Sequence, residues 1–113
     1  MRIIYLVHPI SGDPANIAHL LEIVKCINLK YKDIVPFASY VADCLALDDT
    51  DPEQRARGLW NDRELFGRKF IQEIWVLGDT ITSGMSSEIA RAEVLGIPVT
   101  YWSEQDIENL LTI

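Results

Sequence analysis

Cations, cysteines and long apolar runs are all scarce in this sequence, and each shortage removes a class of function. Ten lysines and arginines stand against seventeen aspartates and glutamates, for a formal net charge of −7. That balance argues against a nucleic-acid backbone or an anionic membrane surface as the main partner. A small nucleotide is not excluded, because helix N-termini act locally against a diffuse acidic field. No apolar stretch approaches the roughly 20 residues that span a bilayer. The opening Met1 to Val7 is too short for a secretion signal and leads to His8-Pro9 instead of small residues. The two cysteines, Cys26 and Cys44, form neither a metal spacing nor a disulfide framework. Cys26 falls among apolar neighbours on a predicted helix, as a packed, reduced thiol would. A cytoplasmic location is therefore expected. The sequence also lacks the Gly-Lys-Ser/Thr phosphate loop and the Gly-x-Gly-x-x-Gly fingerprint, which sets aside the ordinary nucleotide triphosphatases and dinucleotide oxidoreductases. No Ser/His/Asp or Cys/His order stands out and no cluster has metal-ligand spacing, so neither a metal nor a cofactor is expected.

What remains is a chain of 113 residues, 49% hydrophobic and 24% charged. It is long enough for one core and too short for two, so residues 1–113 are expected to form a single domain. Ile3 to Val7 is a near-continuous apolar run, as in a strand covered on both faces. His8 to Gly12 is a loop, and Asp13-Pro14 supplies an N-cap followed by proline at the first helical position. Ile17, Leu20, Leu21, Val24 and Ile27 follow at helical spacing, predicting a helix to about Lys30. Asp33 to Phe37 reads as a second, shorter strand. Ala38 to Thr50 fits either a short helix or an irregular connection. Asp51-Pro52 repeats the cap-and-proline signal for a helix to about Phe70, marked by Leu59, Phe66 and Phe70 and weakened by Gly58 and Gly67. Ile74 to Leu77, a helix ending at Gly96, Ile97 to Trp102, and a terminal helix after the capping box at Ser103 complete the chain. Strands and helices alternate, which predicts a mainly parallel sheet of four to five strands with helices on both faces, a three-layer flavodoxin-like or Rossmann-like fold.

The stretch from Glu73 to Val99 carries most of the chemistry. It is a strand, loop, helix and strand, so its loop lies at the carboxyl edge of a parallel sheet, where open α/β sheets bind ligands. Glu88 shares the helical stripe of Met85, Ala92 and Leu95 that should face the sheet. It is either a partly solvated boundary residue or a reactive carboxylate. In the second case the helix N-terminus favours its ionised form, and a carboxylate is a group that traps a sugar cation covalently. Asp79 is the natural second acid, or else a turn contact. Thr82, Ser83 and Gly84 open the helix with hydroxyls and free backbone N–H groups, suited to phosphate, carboxylate or sugar hydroxyl; capping alone also explains one of the hydroxyls. Tyr5 either presents its hydroxyl to this edge or fills the core. His8 and Gly12 flank the first loop and are further substrate-binding candidates, with His8 open to a purely structural role.

The segment Ile4-Tyr5-Leu6-Val7-His8-Pro9-Ile10-Ser11-Gly12 resembles the opening of nucleoside 2-deoxyribosyltransferase-like proteins. Ser83-Gly84-Met85-Ser86-Ser87-Glu88-Ile89 followed by Gly96-Ile97-Pro98-Val99 resembles that group's second signature. Short bacterial and phage proteins of the superfamily also carry the run Trp75 to Asp79 before Ser83-Gly84-Met85. The resemblance spans nearly the whole chain in order. It implies cleavage or exchange of the N-glycosidic bond of a 2′-deoxynucleoside or its 5′-phosphate, with Glu88 attacking C1′ and an acid protonating the leaving base. It departs at two places. The family has an acid six residues before its nucleophile, and here that residue is Thr82. A second family aspartate, on the helix before the third strand, has only Asp62 and Glu64 as nearby candidates. The alternative reading is a protein that holds a nucleotide or nucleotide-derived signal in the same pocket without cleaving it. A small oligomerising subunit is the third class. Relatives bury apolar helices between subunits, so a homodimer using Trp60 or Phe66 is expected.

Overall fold

The computed structural model describes residues 1–10 and 13–112. Its elements, numbered in chain order, are β1 (Arg2–Val7), α1 (Pro14–Lys30), β2 (Ile34–Phe37), α2 (Tyr40–Ala46), α3 (Pro52–Phe66), β3 (Glu73–Leu77), α4 (Ser83–Val94), β4 (Val99–Trp102) and α5 (Glu104–Leu111). The four strands form one sheet in the order β2-β1-β3-β4, every pair parallel. The chain leaves β1 toward one edge and returns past it to start β3. The β1–β3 seam is therefore the topological switch point, the usual place for a ligand crevice.

Side-chain alternation along β1 and β3 divides the core into two layers. Ile4, Leu6, Trp75 and Leu77 point to one face and pack with Leu20, Ile23 and Ile27 of α1 and Ile107 and Leu110 of α5. Tyr5, Val7, Ile74 and Val76 point to the other and pack with Phe66 of α3 and Met85 and Ala92 of α4. Full burial of each such aliphatic side chain is worth about 1.5–3 kcal/mol. Both central strands are thus covered on both faces, which explains their continuous apolar runs. Pro36 pairs with Ile4 and is tolerated because β2 is an edge strand with one side free of partners.

The caps lie where the sequence places them. Asp13 Oδ1 accepts the Ala15 N–H at 3.0 Å and Asp51 Oδ1 accepts the Glu53 N–H at 2.9 Å, each with proline at the start of the helix. Ser103 and Asp106 close the capping box of α5. Gly96, at φ +73°, ends α4 in the left-handed region that favours glycine.

Two expectations shift, and one left open is decided. The buried stripe of α1 runs through Ile17, Leu20, Ile23 and Ile27, while Leu21 is exposed; the helix is rotated slightly so that Ile23 takes the inward place. Ala38 to Thr50 contains a short helix, α2, with no buried residue. Helix α3 stops at Phe66, four residues early, because the Gly67 N–H closes onto Arg63 and Leu65 and Lys69 turns into the left-handed region at φ 61°. Its mark Leu59 is exposed, whereas Phe66 is buried in the core of the chain itself. That burial removes Phe66 from the candidate dimer contacts and leaves Trp60, which is exposed. Among the described residues, no helix is long and apolar enough to cross a membrane.

Candidate active site

Tyr5 is the centre of the site. Its ring fills the core between sheet and helices, with the Phe66, Tyr40 and Phe37 rings at centroid distances of 4.6, 5.8 and 6.0 Å. Its hydroxyl lies 2.6 Å from Asp62 Oδ1 on α3 and is also hydrogen-bonded to Glu88 Oε2 on α4. Of the two sequence readings of Tyr5, core packing is the one observed: the side chain is fully buried, with its hydroxyl held between two carboxyls. Ser39 Oγ, just after β2, donates weakly to the same Asp62 oxygen at 3.4 Å. The Tyr40 hydroxyl donates to the Leu6 carbonyl at 2.7 Å and ties α2 to the carboxyl end of β1. Strand β1 and helices α3 and α4 thus each supply one member of a Tyr5–Asp62–Glu88 cluster.

Counting protons shows what this cluster can hold. A phenol has one proton and can donate to one carboxylate at a time. When Tyr5 donates to Asp62, its contact with Glu88 requires a proton on Glu88. Two ionised carboxylates on one buried hydroxyl would also repel each other. In agreement, the Glu88 carboxyl is pushed up from 4.5 to about 9, first by burial and then by the Asp62 charge, with the Tyr5 hydrogen bond pulling the other way. The Tyr5 phenol is itself held well above its ordinary 10 by burial and by Glu88 and Asp62. Near neutral pH Glu88 is therefore held in its protonated form, against Tyr5 and Asp62. Buried carboxyls held protonated in this way are a recurrent feature of catalytic sites.

The remaining described candidates follow the carboxyl ends of β1 and β3. Thr82 is the N-cap of α4, its Oγ1 accepting the Met85 N–H at 3.2 Å. Ser83 and Gly84 are exposed in the first turn. Asp79 is exposed, its backbone N–H donating to Glu104 Oε1 at 3.1 Å, and it is not among the groups that shift Glu88. The acid set against Glu88 in the structure is Asp62. His8 is buried and hydrogen-bonded to His19, with 2.8 Å between His8 Nε2 and His19 Nδ1. The two histidines line a cavity of about 350 Å³ together with Thr80, Thr82 and Glu104. Gly12 lies outside the described residues. No group of three or more histidine, cysteine, aspartate and glutamate side chains among the described residues is placed to hold a metal.

Sequence reasoning placed Asp62 only as a neighbour of an unmatched position. A signal was available: Asp62 precedes the buried Phe66 by four residues and so shares its inward face, the same logic that singles out Glu88. Leu59, expected to mark that face, is exposed and obscured the phase of α3.

An all-parallel 2-1-3-4 sheet with helices on both faces and an acidic, proton-holding cluster beside its switch point defines an α/β protein of flavodoxin-like build. Residues 2–102 match the family model described as a domain of unknown function, DUF7768, and the chain belongs to that family. No curated protein matches the chain significantly. Among solved structures, the fold is similar to that of the 2-deoxyribosyltransferase from the psychrotolerant bacterium Bacillus psychrosaccharolyticus, with a TM-score of 0.66 and 20% identity over 89% of this chain and 72% of that one. That protein's structure is described as one of a biocatalyst for the synthesis of antiviral and antitumoral nucleosides. At this identity the likeness concerns the fold.

Proposed function

We propose that the chain cleaves or exchanges the N-glycosidic bond of a 2′-deoxynucleoside or a related nucleotide, with Glu88 as nucleophile. The observation that carries this reading is the convergence of Tyr5, Asp62 and Glu88, with Glu88 held protonated. Glu88 attacks C1′ as a carboxylate, the C1′–N bond breaks, and its electron pair leaves with the base. The base nitrogen takes up the proton of the acid, and a water or a second base, giving its own proton to that same carboxylate, then displaces Glu88 from C1′ as a carboxylate. The resting proton on Glu88 must first move to Asp62, which makes Asp62 the acid and Glu88 the free nucleophile. This is a change of proton position within the cluster, so no proton has to enter or leave. Tyr5, donating to whichever carboxyl is ionised, is the natural bridge. The carboxyl oxygens, both bonded to one hydroxyl, lie within about 5 Å of each other, closer than the spacing that admits a water between acid and base and in line with double displacement.

The binding-protein reading is favoured by a different observation. Thr82 stands where the family resemblance expects an acid, and its hydroxyl is occupied in capping α4. A pocket that holds a nucleotide without turnover would tolerate that loss.

Incubation with 2′-deoxynucleosides and their 5′-monophosphates, followed by chromatography for free base, separates the two. Release by the wild type and its loss in Glu88→Ala and Glu88→Gln is the expected result. Base release by Glu88→Ala at the wild-type rate would remove Glu88 as nucleophile. Saturable binding with no release by any form would leave the binding reading in its place.

A further inference from the structure

We propose that Ser39 is a positioning residue of the site, its hydroxyl keeping Asp62 the ionised carboxyl and thereby holding the proton on Glu88. The inference rests on the nucleoside reading above for its consequence, since it names the contact that must give way before Glu88 can attack. Ser39 occupies the N-cap position of α2, where a serine oxygen ordinarily accepts a backbone N–H of the first turn. Here it makes no such bond. Asp13, Asp51, Thr82 and Ser103 all cap their helices, so α2 is the exception among the described helices. The Val41 N–H, which Ser39 could have received, goes to the Ala38 carbonyl at 3.2 Å. The Ser39 hydroxyl is directed instead at Asp62. Its Oγ lies 3.4 Å from Asp62 Oδ1, the same oxygen that receives Tyr5 at 2.6 Å.

Neighbouring contacts fix this placement. The Tyr40 ring lies 5.8 Å from that of Tyr5, and its hydroxyl donates to the Leu6 carbonyl at 2.7 Å. Asn61 Nδ2 donates to Asp43 Oδ2 at 3.2 Å, which ties α2 to α3 one residue before Asp62. Ser39 is thus held in place by β1 and by α3 together.

The direction of the hydrogens gives the contact its meaning. An ionised carboxylate only accepts, so the chain from Glu88 through Tyr5 ends on Asp62, where the Ser39 hydrogen also arrives. Moving the proton reverses that chain. Glu88 gives its hydrogen to the Tyr5 oxygen, Tyr5 gives its own to Asp62 Oδ1, and no proton enters or leaves. Ser39 is then left donating to a neutral carboxyl. A hydrogen bond to an ionised acceptor is roughly twice as strong as one to a neutral acceptor, so Ser39 opposes the transfer. At 3.4 Å the contact biases the proton without locking it. A ligand atom that accepts the Ser39 hydrogen removes the bias and lets Glu88 ionise. The other ionisable groups beside the cluster are Tyr40 and Cys44 of α2. Burial holds Tyr40 well above its ordinary value, and partial burial followed by Asp49 and Asp43 raises Cys44, so both are uncharged near neutral pH. No lysine or arginine is among the groups that shift Glu88.

Carboxyl-carbon NMR of the full chain, titrated with pH, tests this without any substrate. Asp62→Asn and Glu88→Gln assign the two signals. Near neutral pH the wild type should show Glu88 protonated and Asp62 ionised. In Ser39→Ala the Asp62 signal should take up its proton about half a unit to one unit higher in pH, because a hydrogen bond to the ionised form is gone. The Glu88 midpoint should stay or rise. Ser39→Thr keeps the hydroxyl and should restore the wild-type curves. Asn61→Ala breaks a tie between the same two helices without removing a donor to Asp62, and should leave the Asp62 signal unmoved. A purely structural Ser39 gives a different result: a loosened α2 admits water and lowers the Glu88 midpoint in both alanine variants. An ionised Glu88 in the wild type near neutral pH overturns the proposal. So does an Asp62 signal indifferent to Ser39→Ala, or a shift that Asn61→Ala reproduces or Ser39→Thr fails to reverse. Absence of base release from every nucleoside would sink the nucleoside reading and leave these titrations unaffected.

Discussion

The proton on Glu88 has a consequence for stability that can be measured without a substrate. In the unfolded chain this carboxyl ionises near its ordinary 4.5, and in the fold near about 9. Between these values the native state holds a proton that the unfolded state has released, so stability falls as pH rises through that window. Each pH step there costs at most about 1.4 kcal/mol, which makes a ceiling of about 3 kcal/mol between about pH 5 and about pH 7.5. Solvent access to the half-buried Glu88 reduces this to an expected 1–3 kcal/mol, roughly. Glu88→Gln preserves the side chain's length and stays neutral at every pH, so the Glu88 contribution to the slope should vanish. His8 titrates with the opposite sign: burial lowers it, and its contribution is lost as pH falls below 6.5. It acts equally in both proteins and cancels when they are compared. Urea unfolding, followed by fluorescence of the buried Trp75, gives the two stabilities at each pH. The advantage of Glu88→Gln over wild type should grow by about 1–3 kcal/mol from about pH 5 to about pH 7.5. A difference that stays constant with pH would show that Glu88 ionises normally in the fold and would refute the proton held on it.

The same cluster makes further demands. Tyr5→Phe removes the one interaction that pulls the Glu88 proton off, so the basic end of its pH window should move above about 9 in the same unfolding series; an unchanged or lower midpoint would contradict the bridging role. If the chain is catalytic, base release should decline as the Glu88 proton is lost near about pH 9, and a rate still climbing through that region would count against a proton-dependent step. Gly78 sits at φ +99°, and an added Cβ would come within 2.7 Å of Glu104 Oε1. Gly78→Ala should therefore cost about 1–2 kcal/mol in thermal or urea unfolding, and a neutral result would mean the turn relaxes freely. Thr82→Asp replaces one good N-cap with another and introduces an acid at a favourable helix N-terminus. It should leave the melting temperature nearly unchanged and raise base release, and slower release would show that the acid is not what the site lacks.

The fold was largely legible because its signals are local and independent. Aspartate-proline caps two helices, a capping box opens α5, and continuous apolar runs identify β1 and β3 as strands buried on both faces. Each of these depends on a few neighbouring residues and on backbone chemistry that acts the same in any fold. Where the expectations slipped, the controlling interaction is long-range. Whether Leu21 or Ile23 of α1 faces inward depends on how α1 seats against β1 and α5, and both are apolar. The end of α3 depends on a left-handed lysine, Lys69, which propensity does not foretell.

The site divides along the same line. Glu88 announces itself because an acid on an inward stripe costs free energy unless something satisfies it. What satisfies it lies 83 residues away in Tyr5 and on a third element in Asp62, and no spacing rule connects the three. A physical rule does connect them in retrospect. A buried carboxyl without a cation nearby must keep a proton or find a hydrogen-bond donor, and the partner of such a group is best sought among other polar residues on inward faces. In this chain that search has few answers: Tyr5 on the α3/α4 face of β1, and Asp62 one turn before Phe66. Asp79 has the more conventional position at the end of a strand, yet its exposed side chain has water to stabilise its charge and nothing that forces it to keep a proton. Burial combined with proximity, and not position at the sheet edge alone, is what turns a carboxylate into an acid at neutral pH.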